Sequence, residues 1–89
     1  MRRSGKNAAE RNMEKSIYRY RVHLDSVRDV LEFVRIATKT EGHLELVNGR
    51  RRLSATSFLS VALARISWDE VILEADYDCY FDFENFIAG

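Results

Sequence analysis

The dipeptide Asn48-Gly49 constrains this chain most, because it stands between two short segments that alternate in polarity. Asn and Gly both tolerate the positive φ that a two-residue hairpin turn demands. His43-Leu44-Glu45-Leu46-Val47 and residues 50–54 therefore read as the two arms of an antiparallel hairpin. Leu44 and Leu46 point to one side of the first arm, and Leu53 is the matching apolar residue of the second. A lone hairpin is marginal in water, so the rest of the chain must supply elements that cover its apolar side.

Residues 17–24 alternate, with Tyr18, Tyr20, Val22 and Leu24 on one side and Arg19, Arg21 and His23 on the other, which predicts a half-buried strand. Asp25 or Ser26 then offers an N-cap oxygen, and Asp29 and Glu32 suit the positive end of a helix. Val27, Val30, Leu31, Val34 and Ala37 recur at helical spacing and predict one buried stripe, fading between Lys39 and Gly42. Beyond the hairpin, Ser54 or Ser57 can cap a second helix whose stripe is Leu59, Ala62, Leu63 and Ile66, helped by Phe58. Residues 69–75 predict a fourth strand. Asp76 or Asp78 would cap a terminal helix carrying Cys79, Phe83, Phe86 and Ile87 on one face. The order β-α-β-β-α-β-α predicts an α+β open-faced two-layer sandwich, a four-stranded antiparallel sheet with three helices on one face, spanning residues 16–89.

At 89 residues, with 46% apolar and 31% charged, the chain is one ordinary small domain, not a disordered tail, a collagen or a disulfide scaffold. Residues 1–15 are polar without an apolar face and predict a flexible extension, with Met13 an alternative start. No apolar run reaches the ~20 residues of a membrane span, and the charged N-terminus does not resemble a secretory signal. Together with the lone Cys79, this predicts a cytoplasmic protein with no membrane partner. One Cys and two distant His do not form a metal set, and the four glycines are too scattered for a phosphate loop, so neither metal nor cofactor is expected. Net charge is zero, yet residues 1–54 hold 13 basic against 7 acidic residues and residues 55–89 hold 1 against 7. Interleaving of sequential halves makes this split an orientation and solubility feature, with a basic docking patch as the sharper alternative.

Three segments resemble HPr, the histidine-containing phosphocarrier family of the bacterial sugar phosphotransferase system. They are Val30-Leu31-Glu32-Phe33-Val34 with Ala37, Leu46-Val47-Asn48-Gly49-Arg50, and Ala55-Thr56-Ser57-Phe58-Leu59-Ser60-Val61. The likeness runs from about Tyr18 to Ile87, and its last segment, similar to the family's Lys-Ser-(Ile)-(Leu or Met)-Gly-Val, is the most specific. Members open their first helix with Gly-(Ile or Leu)-His-Ala-Arg-Pro-Ala, whose His accepts the phosphoryl group. Alignment through Glu32-Phe33-Val34 sets Ser26 where that His stands, Arg28 on the phosphate-contacting Arg, and Asp29 on the Pro.

An unactivated serine hydroxyl is a poor nucleophile near neutral pH, and its ester does not pass a phosphoryl group onward as a phosphoramidate does. Asp25 and Asp29 beside Ser26 would also repel phosphate. The resemblance therefore implies a divergent member without carrier function, similar to the catabolite-repression paralogue, that regulates by binding proteins: phosphotransferase-system components, a serine kinase or a transcriptional regulator. Ser57 matches the family's regulatory serine, although Thr56 stands in place of the usual Lys; its other reading is a plain N-cap. The competing reading keeps a phosphoryl relay on His23 with Arg28, while His43 reads as a surface residue.

Arg50-Arg51-Arg52 reads first as the wet arm of the hairpin and second as a nucleic-acid or docking patch. One residue more than the family pattern separates turn from serine, which suggests a bulge or a longer loop. Five of the ten aromatics (Tyr77, Tyr80, Phe81, Phe83 and Phe86) lie in the tail. One helical face cannot bury them all, so a core plus a patch for self-association into a homodimer is expected.

Overall fold

Alternation and capping place the elements of the computed structural model, which describes residues 16–88; the expected extension, residues 1–15, lies outside them. In chain order they are β1 (Tyr18–Val22), α1 (Val27–Lys39), β2 (Leu44–Asn48), β3 (Arg51–Ser54), α2 (Phe58–Ser67) and β4 (Val71–Ala75), then a 3-10 turn at Glu84–Phe86. The strands form one antiparallel sheet in the order β1-β4-β2-β3. Among the described residues, no helix is long and apolar enough to cross a membrane.

Register explains the core. Tyr20, Leu73, Leu46 and Leu53 are successive cross-strand partners and make one apolar row across all four strands. Leu46 and Leu73 are fully buried in it. The next row on the opposite face is Arg19, Glu74, Glu45 and Ser54. Period two thus sends one row to the core and the next to water.

Each helix starts on a serine cap. Ser26 Oγ accepts from the Asp29 N–H at 3.2 Å, while the Asp29 carboxylate accepts from the N–H of Asp25, the residue before the cap, at 2.9 Å. Ser57 Oγ accepts from the Ser60 N–H at 3.2 Å. α1 buries Val30, Phe33 and Ala37, and α2 buries Val61 and Ala64.

Three expectations need correction. First, the buried stripes are not the ones that spacing suggested. Val27 and Leu31 of α1 are exposed, because the line through Val30, Phe33 and Ala37 carries the larger ring inward. On α2, Leu59, Leu63, Ile66 and Phe58 are exposed, and the small Val61 and Ala64 face inward. This helix is apolar almost all round, so its period does not select a face; close approach to α1 and the sheet does, and it selects small residues.

Second, there is no terminal α-helix. Asp76 accepts from the His43 N–H at 2.9 Å, and Asp78 accepts from the Tyr20 hydroxyl at 2.7 Å, so both supposed helix caps are held by distant strands. The chain then winds through turns, with the Phe83 N–H shared between the Cys79 and Tyr80 carbonyls, and ends in the 3-10 turn. Cys79, Phe83 and Phe86 are nonetheless buried, so the face exists without the helix. Past Phe86 the chain becomes extended. The His23 N–H donates to the Phe86 carbonyl at 2.7 Å and the Ala88 N–H to the Arg21 carbonyl at 2.9 Å, laying Ile87 beside Val22 along β1.

Third, the hairpin turns one residue later than the dipeptide suggests. Asn48 pairs with Arg51, so Gly49 and Arg50 are its centre, and Gly49 supplies the positive φ of +62°. Register is continuous from Glu45↔Ser54 to Asn48↔Arg51, without a bulge.

Phe83→Ala should destabilise the fold by about 3–5 kcal/mol, enough to unfold much of a domain this small. Leu63→Ser should change stability by less than ~1 kcal/mol. Urea denaturation followed by circular dichroism separates the two outcomes.

Candidate functional site

The start of α1 holds the positions that sequence comparison singles out. Ser26 and Arg28 are both exposed there, Ser26 as the cap and Arg28 in the first turn. Helix N-termini attract anions, but here the Asp29 carboxylate already occupies that role, bonded to the Asp25 N–H. An incoming phosphate would meet Arg28 and also this resident negative charge.

His23 lies elsewhere. Its exposed side chain borders a cleft of about 530 Å³ together with Arg65, Trp68 and Glu70, and Arg28 is not among the residues around it. Arg65 is committed to the β1–α1 connection, donating to the Leu24 carbonyl at 2.7 Å and the Asp25 carbonyl at 2.9 Å. His23 and Arg65 thus line the same cleft, and Arg28 does not. His43 is exposed, with Nε2 3.7 Å from Glu45 Oε1.

Ser57 is half-buried at the head of α2. Ser54, the other candidate cap, instead accepts from the Thr56 N–H at 3.2 Å and shares a hydroxyl contact with Thr56 at 2.9 Å.

The three arginines of the hairpin are not equivalent. Arg52 bridges Glu74 at 2.7 Å and Glu45 at 2.8 Å across the outer face of the sheet, and Arg19 closes on Glu74 at 2.8 Å. Hydrogen bonding from Arg52, assisted by Arg19, holds the Glu74 carboxyl below the usual range although burial opposes it. Arg52 is thereby withdrawn from any external anion. Arg50 and Arg51 are exposed and, among the described residues, have no carboxylate within 4.0 Å.

No group of three or more His, Cys, Asp or Glu among the described residues is placed to hold a metal ion. Burial pushes the Cys79 thiol up to about 11, which keeps it protonated and a poor nucleophile.

Sequence reasoning missed an apolar surface by assigning it to the core. On α1 it is Val27 and Leu31; on α2 it is Leu59, Leu63 and Ile66, one helical stripe, with Phe58 beside it. Leu59 is 78% and Ile66 76% exposed. The available signal was composition: α2 carries a single charged residue, Arg65, so a helix lying on one face of a sheet has to expose apolar side chains. The tail aromatics divide between inside and outside. Phe83 and Phe86 are in the core, Tyr80 packs beside Tyr20 with ring centroids 6.2 Å apart, and Phe81 is 82% exposed.

Comparison with known proteins returns no significant match to a family model, a curated protein or a solved structure. Function is therefore argued from this chain's own residues.

Glu74 is held ionised in the fold, so its contribution is present above the ordinary carboxylate range and is lost as pH falls through its lowered value. Glu74→Gln should accordingly be less stable than wild type at pH 7 and lose less stability between pH 6 and pH 3, measured by urea midpoints across that range. Cys79 should resist iodoacetamide at pH 8 in the native protein and react once the chain is denatured, as mass spectrometry would show.

Proposed function

We propose that this chain is an HPr-like regulatory module of the bacterial cytoplasm. On this reading it lacks the phosphocarrier histidine, acts by binding proteins of the phosphotransferase system or a transcriptional regulator, and is controlled by phosphorylation of Ser57. The observation that carries this reading is the exposed apolar surface on α1 and α2. A domain of this size has few apolar residues to spare, and leaving Val27, Leu31, Leu59, Leu63 and Ile66 in water suits a face that a partner covers. Ser57 stands at the head of one of the two helices that build this face. A phosphate there would add about −2 charge beside free helix N–H groups and change what docks.

The absence of a carrier function is argued from the start of α1, where Ser26 replaces imidazole and spends its hydroxyl on the helix cap, with Asp29 adjacent. Two incubations test the proposal. With phosphoenolpyruvate and the general phosphotransferase donor enzyme, the chain should take up no acid-labile phosphate. With an HPr serine kinase and ATP it should gain one acid-stable phosphate, lost in Ser57→Ala. Acid-labile label that disappears in His23→Ala would overturn the proposal in favour of a relay, and a Ser57→Ala protein labelled as well as wild type would remove the regulatory site.

A further inference from the structure

β3 ends the sheet on one side, paired with β2 alone. Asn48 and Arg51 flank the two-residue turn and form its closing hydrogen-bonded pair, and the ladder alternates from there. Arg51 and Leu53 therefore turn their N–H and C=O groups to β2, while Arg52 and Ser54 turn theirs outward. Among the described residues no further strand receives these outward groups. The opposite edge of the sheet differs, because the chain end lies along β1 through the Phe86 and Ala88 hydrogen bonds.

α2 packs on this strand, and a mainly apolar groove of about 460 Å³ runs between them, lined by Leu53, Leu63 and Trp68. Leu59 and Ile66 continue the exposed stripe of α2 beyond the groove. A lone extended peptide would satisfy the strand edge and fill the groove, yet it would leave Leu59 and Ile66 in water, because a strand brings no second layer. Four residues of β3 are also too few for a stable interface, which takes about 800 Å² from each partner. The occupant that covers edge and stripe together presents a free strand with an apolar helix beside it. This chain presents that pair itself, as β3 and α2.

We propose that two copies of the chain join edge to edge, β3 against β3 and antiparallel, about a two-fold axis at Leu53. Such an axis, perpendicular to the sheet, keeps both helical layers on one side and pairs residues of like parity. Centred on Leu53, it pairs Arg52 with Ser54 of the second copy and so uses every outward group of the strand. It also sets Leu53 against Leu53 in the close, non-hydrogen-bonded position, where the two grooves meet under the two α2 helices. Centred on Arg52, the axis would oppose two like charges directly and set Leu53 against Arg51. Centred on Ser54, it would leave the outward groups of Arg52 without a partner in the strand. Antiparallel pairing sends the two turns to opposite ends, which keeps Arg50 and Arg51 away from their counterparts. Arg52 meets Ser54, whose neighbour across the ladder is Glu45. The proposal rests on the reading of the α2 surface as one that a partner covers, and it names what covers its β3 side.

Sedimentation equilibrium of the full chain should show a dimer whose fraction rises with concentration. Ser54→Pro removes an outward N–H without touching the β2 ladder, and Leu63→Ser, which keeps the fold, removes the apolar contact. Each acts twice in a symmetric dimer and should raise its dissociation constant at least about tenfold. Leu53→Cys should oxidise to a disulfide-linked dimer, because opposed residues of a non-hydrogen-bonded pair stand about 4.5 Å apart at Cα. Arg50→Cys, in the turn, should not. A chain that stays monomeric at about millimolar concentration, a dimer indifferent to Ser54→Pro, or cross-linking as fast at Arg50→Cys as at Leu53→Cys overturns the proposal. Trp68, the only tryptophan of the chain, lies in the groove and reports its occupancy. A monomer whose Trp68 emission shifts saturably with a blocked Thr-Val-Thr-Val-Thr-Val peptide would give the edge to a single strand and equally overturn it. Phosphate uptake at Ser57 by a monomer would sink this inference alone, and a dimer without that uptake would sink the regulatory reading alone.

Discussion

Phe33, Phe83 and Phe86 hold the two layers together. Their rings lie 4.8 Å and 5.8 Å apart, centroid to centroid, with Phe33 at the centre of the group, and all three are buried. Phe33 comes from α1, while Phe83 and Phe86 come from a segment with almost no regular structure. That segment is fixed because its rings fill the space beneath α1 and because Asp76 and Asp78 tie its beginning to β2 and β1 neighbours. Remove the aromatic contact and α1 would have only Val30 and Ala37 as buried anchors. Aromatic pairs add about 0.5–1.5 kcal/mol beyond their buried area, a large share of the stability of so small a domain.

The way apolar side chains are distributed follows from this arrangement. Because the tail contributes large rings to the interior, α2 needs to contribute only Val61 and Ala64, and its bulkier residues remain outside. On the other side of the sheet, charge is used internally: Arg19, Arg52, Glu45 and Glu74 satisfy one another across neighbouring strands. The two faces of the molecule consequently differ in kind. One is an ion-paired sheet surface with little unspent charge, and the other is a helical layer with unspent apolar area.

Whatever was decided by near neighbours in sequence was legible before folding. The hairpin, the two serine caps, the alternation of β1 and β4, and the inward direction of Leu44, Leu46 and Leu53 are all local properties. Each helix start was narrowed to two candidate caps, Asp25 or Ser26 and Ser54 or Ser57, and the structure selects Ser26 and Ser57. What was not legible depends on distant partners. Asp78 is drawn off by Tyr20, 58 positions away, and Asp76 by His43, 33 positions away, which is why a helical spacing of buried residues in the tail does not produce a helix. The orientation of α2 was illegible for a different reason: a nearly uniform apolar surface has no preferred side until something small enough to approach closely is chosen. Arg50, Arg51 and Arg52 look alike in sequence, and only the placement of Glu45 and Glu74 next to Arg52 tells them apart.

β4 is the last strand in the chain and yet lies inside the sheet, between β1 and β2. During translation, β1 leaves the ribosome and has no strand to join until about fifty further residues have been made. The β2–β3 hairpin can close early, but it too lacks its inner neighbour. Until residues 71–75 have been made, the first strand and the hairpin therefore keep open edges on both sides of a missing centre, and the sheet closes only through contacts distant in sequence.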